Sequence, residues 1–161
     1  MLFAVALALV MGGGAKAQST SGDTLLSKGW DVRLGFFIPD RGNAKAAEGD
    51  VWFTAGIERA FYQHGRHTVG LSVDYYGSGK VYNVPILVNV HGESKRFRYG
   101  AGVGVSMGHD LTRGTNGFAY QLGIGYVLTQ GPSPIVFDIR YRGVGNAGEL
   151  NGVSFTLGGH F

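Results

Sequence analysis

Eight stretches of the chain alternate apolar and non-apolar residues with period two, and in several the non-apolar position is glycine rather than a charge or a hydroxyl. In the clearest, Phe97, Tyr99, Ala101, Val103, Val105 and Met107 oppose Arg98, Gly100, Gly102, Gly104, Ser106 and Gly108. Successive side chains of a strand point to opposite faces, so this stretch is a strand with one greasy face and one nearly bare one. Trp30, Val32, Leu34, Phe36 and Ile38 likewise oppose Asp31, Arg33 and Gly35, and Val51, Phe53, Ala55 and Ile57 oppose Trp52, Thr54, Gly56 and Glu58. Val69, Leu71, Val73 and Tyr75 oppose Gly70, Ser72 and Asp74. Tyr82, Val84, Ile86, Val88 and Val90 oppose Asn83, Pro85, Leu87 and Asn89, where Pro85 lacks a ladder donor and predicts a bulge or local break. Phe118, Tyr120, Leu122, Ile124, Tyr126 and Leu128 oppose Ala119, Gln121, Gly123, Gly125 and Thr129. Ile135, Phe137, Ile139 and Tyr141 oppose Val136, Asp138, Arg140 and Arg142, and Val153, Phe155, Leu157, Gly159 and Phe161 oppose Ser154, Thr156, Gly158 and His160. No later segment carries a helical stripe of useful length, so the chain reads as all-β.

Which face meets water decides the class. A soluble sheet shows water a face rich in Lys, Glu and Thr. Here the commonest residue of that face is glycine, its charges are few and of both signs, and all five lysines lie outside the strand centres. Glycine on an exposed strand face weakens the strand without adding solubility. Inside a closed barrel of eight strands the same glycines make room for longer neighbours, because such a lumen is just wide enough for side chains to fill. The expected fold is therefore an eight-stranded antiparallel up-and-down transmembrane β-barrel with a polar, Gly-rich lumen. Arg33, Arg98 and Arg140 with Glu58, Asp74 and Asp138 form the expected lumen charge network, since charges in such an interior must be paired and hydrogen-bonded.

The apolar face then meets lipid, and closure leaves no open edge. Trp30, Phe61, Phe97, Tyr99 and Phe161 fall toward one end of the strands, and Tyr75, Tyr82, Phe118, Tyr120 and Tyr141 toward the other, as two aromatic girdles would. Arg59 falls on the lipid side near a strand end, where snorkelling to headgroups or a bulge accounts for it. Outer connections are expected at residues 39–50, 77–79, 109–117 and 143–152, and tight turns at 63–66, 92–95 and 131–133. Both chain ends then lie on the periplasmic side.

Residues 2–11 are an apolar run, followed by a glycine triplet and Ala15-Lys16-Ala17 before Gln18. This pattern predicts a secretory signal peptide over residues 1–17, leaving 18–161 as the barrel domain, although no Lys or Arg precedes the run. The run is shorter than a membrane-spanning helix requires. With no cysteine there is neither a disulfide framework nor a thiolate site. Fourteen basic against eleven acidic side chains, with no basic run, leave no nucleic-acid footprint.

The last stretch, with Phe155, Leu157 and a terminal Phe161, resembles the C-terminal assembly signal of bacterial outer-membrane barrels. With the leader and eight strands, the mature chain resembles the small barrels of the OmpA/OmpX type. That resemblance implies residence in the Gram-negative outer membrane, insertion by the barrel-assembly machinery, contact with outer-membrane lipids and lipopolysaccharide, and a monomer without catalytic activity. Residues 138–148 also resemble a segment of lipid A deacylase barrels in which a His and a Ser precede an Asn-Ala pair. Asn146-Ala147 is present, but Gly143 and Gly145 stand where that family has its base and nucleophile, so neither role transfers.

The remaining chemical candidates are thin. His64 and His67 flank a tight turn without a carboxylate close in sequence, and His160 faces inward as a hydrogen-bonded lumen residue. Gly100-x-Gly102-x-Gly104 lies within a strand, not at a strand-to-helix turn, and so is no phosphate loop. No catalytic, cofactor or metal site is assigned, and a filled lumen is no open diffusion channel. The expected function is a non-enzymatic barrel acting structurally or through its outer loops. A lipid A-modifying, deacylase-like enzyme or an inactive relative of one is the alternative, and a soluble lipocalin-like binder comes third.

Overall fold

The computed structural model describes residues 28–161; the leader expected over residues 1–17 lies outside the described residues. In chain order the elements are β1 (Trp30–Pro39), α1 (Gly42–Glu48), β2 (Trp52–His64), β3 (His67–Ser78), β4 (Val81–Ser94), β5 (Phe97–His109), β6 (Gly114–Val127), β7 (Ile135–Val144), a single 3₁₀ turn (Gly148–Leu150) and β8 (Gly152–His160). Each strand pairs antiparallel with the next, and β1 closes onto β8 from Asp31↔His160 to Pro39↔Gly152. The product is a closed, up-and-down barrel with no free strand edge.

Closure fixes which face is inside. Phe97 is 49%, Val103 55% and Ile139 37% exposed, while Arg33 and Glu58 are each 1% exposed. The apolar set therefore covers the outside and the charged and glycine set lines the lumen, the reverse of a soluble barrel. The outer aromatics contact one another near the strand ends: Tyr75 stacks on Tyr82 at 6.4 Å, Phe118 on Tyr120 at 6.2 Å, and Phe97 meets Tyr126 edge-on at 5.2 Å.

Irregularities follow local chemistry. The β2–β3 register shifts between Ala60 and Tyr62, leaving Phe61 as the extra residue of a bulge. Arg59 pairs in register with both Trp30 and Leu71 before that bulge, so it faces outward by simple alternation, its guanidinium 4.9 Å over the Trp30 ring. At Pro85 the β3–β4 ladder is interrupted between Val73↔Ile86 and Tyr76↔Asn83 without a change of register, and Pro85 pairs with Ser106 on β5.

Three connections differ most from the sequence expectation. The turn expected at 92–95 sits at 95–96, because Gly92↔Tyr99, Glu93↔Arg98 and Ser94↔Phe97 continue the β4–β5 ladder. The outer connection expected at 109–117 is reduced to residues 110–113, because His109↔Gly114, Gly108↔Thr115 and Met107↔Asn116 continue the β5–β6 ladder. Outward Asn116 shows why apolar alternation did not mark that extension: the hairpin rises beyond the apolar band. The turn expected at 131–133 spans residues 128–134, held by Leu128 N–H to Ile135 O at 2.8 Å and Ile135 N–H to Thr129 Oγ1 at 2.9 Å. The loop after β1 folds into the short helix α1, and the loop after β7 contains the 3₁₀ turn. Both lie against the barrel mouth.

Candidate functional site

The lumen network begins with a gap. Gly56 of β2 pairs with Arg33 on β1 and with Asp74 on β3, and a Cβ there would meet the Asp74 carboxylate. Through that gap Arg33 reaches across β2 and grips Asp74 with two parallel bonds, Nε to Oδ1 at 3.1 Å and Nη2 to Oδ2 at 3.0 Å. Its remaining Nη1 donates to Glu58 Oε2 at 3.1 Å. Gly125, paired with Arg98 on one side and Asp138 on the other, and Gly102, opposite Asn89, relieve crowding in the same way.

From these pairs the network extends around the barrel. Glu58 Oε1 lies 2.6 Å from His91 Nε2 on β4, and Asp31 Oδ2 accepts from Arg98 Nη2 at 2.9 Å while its Oδ1 lies 3.2 Å from His160 Nδ1. Asp138 pairs with Arg140 at 3.2 Å, and Arg142 of β7 donates to Asp74 Oδ1 at 3.1 Å and to Ser154 Oγ at 3.1 Å. A neutral relay runs beside them: Gln121 donates to Asn89 at 2.6 Å and Asn89 to Ser72 at 2.9 Å. Arg33, Arg98, Arg140 and Arg142 thus stand against Asp31, Glu58, Asp74 and Asp138, four buried charges of each sign. Charges so balanced and shared form a fixed lattice that ties strands together.

All six residues singled out from the sequence lie in this lattice, although Arg98 and Arg140 approach Glu58 only at 3.8 and 3.9 Å. Four further members, Asp31, His91, Arg142 and His160, complete it. Arg140 Nη1 and Gln121 Oε1 have no hydrogen-bond partner, and their residues line a small recess with His91, Arg98, Asp138 and the bare backbone of Gly100 and Gly123.

The mouth opposite the tight turns is closed by an apolar plug. Phe37, Trp52, Tyr76 and Val81 point inward there, and Ala44 of α1 with Val144, Ala147 and Leu150 covers them. The Phe37 ring stacks 4.4 Å from Tyr76, whose hydroxyl donates to Leu150 O at 3.0 Å and accepts from Asn83 Nδ2 at 2.8 Å. The Arg142 guanidinium lies 5.5 Å from the Tyr76 ring, joining plug to lattice.

Residues recognised by motif have structural partners. A Cβ on Gly143 would strike the Tyr120 ring, Asn146 Nδ2 donates to Asn116 O at 3.0 Å, and Ala147 belongs to the plug. His64 and His67 are exposed and paired with each other across a two-residue turn. Phe155 stacks on Phe36 at 5.2 Å, Leu157 is exposed, and Phe161 exchanges both backbone hydrogen bonds with Trp30 at 2.8 Å. Among the described residues no group of three His, Cys, Asp or Glu is arranged to hold a metal ion. Comparison with known protein families, characterised proteins and solved structures finds no match to this chain.

Proposed function

We propose that this chain is a non-enzymatic integral barrel of a bacterial outer membrane, serving a structural or surface-interaction role. The observation that carries the reading is the inversion of sides: a closed barrel whose outside is an apolar band and whose inside is an ion-paired lattice. Exposed to water, Phe97, Val103, Val105, Phe118, Leu122 and Ile124 on adjoining strands would form an apolar patch of a size that soluble monomers rarely tolerate. Hydrocarbon is the solvent such a surface fits, and closure satisfies the backbone groups that hydrocarbon cannot.

In this reading residues 1–17 direct export, and Phe155, Leu157 and Phe161 present the apolar edge that the assembly machinery receives. The loops at the plugged mouth, residues 40–51, 110–113 and 145–151, face outward to lipopolysaccharide or an external partner. The lattice holds the strands in place and fills the lumen. Refolding the chain in detergent and running it on a gel with and without boiling tests the reading. A folded membrane barrel migrates differently from its boiled form and stays in the detergent phase on partition; a single band together with recovery in the aqueous phase overturns it.

A further inference from the structure

The two ends of the barrel differ in exposed charge. At the end that holds the 65–66 and 95–96 turns, Arg59, Lys95 and Arg96 are exposed, with Arg66 and Lys28 nearby, while among the described residues the acidic side chains there, Asp31 and Glu93, are buried. At the plugged end Arg41, Lys45, Lys80 and Arg113 are interspersed with Asp40, Glu48, Asp50, Asp110 and Glu149. One end is a basic collar and the other is mixed.

Two features show the collar to be placed rather than incidental. Arg59 sits on the outer apolar face with its guanidinium 4.9 Å over the Trp30 ring, one residue-pair from the bulge at Phe61. Lys95 has φ 56°, a left-handed conformation that favours glycine, and the corresponding positions of the other two-residue turns are Gly65 and Gly79, each also at φ 56°. A lysine thus occupies a glycine position, next to a second cation, at the tip of a strand pair.

We propose that this end binds anionic phospholipid headgroups, with Arg59, Lys95 and Arg96 meeting the phosphates of one leaflet. The proposal rests on the membrane reading above. Charge complementarity selects the partner: among the described residues the collar exposes cations without exposed carboxylate side chains, and each cation near an anionic surface favours the bound state by about fivefold. The apolar band beside it confines those cations to headgroup level.

The test is refolding of the full chain into vesicles of phosphatidylcholine alone or with an equal part of phosphatidylglycerol, followed by urea titration read by gel shift. At about 0.01 M salt, where screening reaches only beyond ~30 Å, the midpoint is expected to be higher in the anionic vesicles, and the difference to vanish at about 1 M. The variant R59Q/K95G/R96Q is expected to lose the difference, whereas K45Q/K80Q/R113Q, which removes the same charge from the other end, keeps it. Equal midpoints for the parent chain in both vesicles, or equal loss in both variants, overturn the proposal alone. Failure to fold into either vesicle overturns the membrane reading and this proposal with it.

Discussion

Arg33 and Asp74, on strands that are not neighbours, are joined by two parallel hydrogen bonds across the backbone of Gly56. Asp74 also takes Arg142, so one buried carboxylate neutralises two buried guanidinium groups from β1 and β7. Replacing it without changing its shape leaves both under-compensated, which in buried pairs costs about 3–5 kcal/mol. Asp74→Asn is therefore expected to lower the urea midpoint of the refolded barrel strongly. Asp138→Asn, which weakens a single pair with Arg140 at 3.2 Å, is expected to lower it less. Equal midpoints for the two variants would contradict the shared role given to Asp74.

A lumen glycine and a surface one differ in what surrounds them. A Cβ on Gly104 would press on the backbone of Ile86 and Leu87 of the neighbouring strand, which cannot swing aside, whereas one on Gly42 meets open space. Gly104→Ala is expected to cost about 1–3 kcal/mol by forcing β4 and β5 apart. Gly42→Ala is expected to stay within about 0.5 kcal/mol. Chemical denaturation of both proteins in the same detergent checks the contrast.

Much of this was legible in the sequence, because strand alternation and closure are both set by side-chain period. Gly100, Gly102 and Gly104 announced an interior face, and Arg33, Glu58 and Asp74 fell on it by counting alone. His91 was less visible: apolar alternation stops at Val90, while the ladder continues to Ser94. Asp31 and Arg142 lay on the correct face, but their partners are on distant strands that no local pattern connects. The plug was hidden for a different reason. Phe37, Trp52 and Tyr76 occupy positions that mid-barrel alternation reserves for polar residues, and they turn apolar because α1 and the 3₁₀ turn shield that mouth from water.

Tyr76 tests the plug. Its hydroxyl is the acceptor for Asn83 Nδ2 and the donor to Leu150 O, and Asn83 Oδ1 has no hydrogen-bond partner of its own. Tyr76→Phe keeps the ring stacked on Phe37 and strands a buried amide, at a cost of about 1–3 kcal/mol. Faster hydrogen exchange at residues 148–151, with the strand amides unchanged, is the expected local signature. Uniform loss of protection throughout the barrel would show that the cap does not open separately.

Asp110 makes the 110–113 turn sensitive to acid. Burial opposes its ionisation, but the amides of Thr112 and Arg113 at 2.7 and 2.8 Å, the Thr112 hydroxyl at 3.0 Å and the Arg113 charge outweigh it and hold the carboxyl below the usual aspartate range. A carboxylate whose folded value is depressed contributes stability above its unfolded value, near 4, and loses that contribution as pH falls through the folded value. The turn is therefore expected to be fully ordered at neutral pH and to loosen only in strong acid. Amide exchange at Thr112 and Arg113 followed against pH measures this, and Asp110→Ala should show at neutral pH the exchange that the parent shows in acid.

Lys95 offers the sharpest separation of fold from function. A non-glycine residue in the left-handed region carries a cost of roughly 1 kcal/mol. Lys95→Gly removes that cost, at the expense of a more flexible unfolded chain. In uncharged detergent the variant is expected to be at least as stable as the parent, by up to about 1 kcal/mol, because the turn then matches Gly65-Arg66 and Gly79-Lys80. A clear loss of stability in that detergent would mean that the lysine side chain supports the turn itself, and its position at the tip would then need no lipid to explain it.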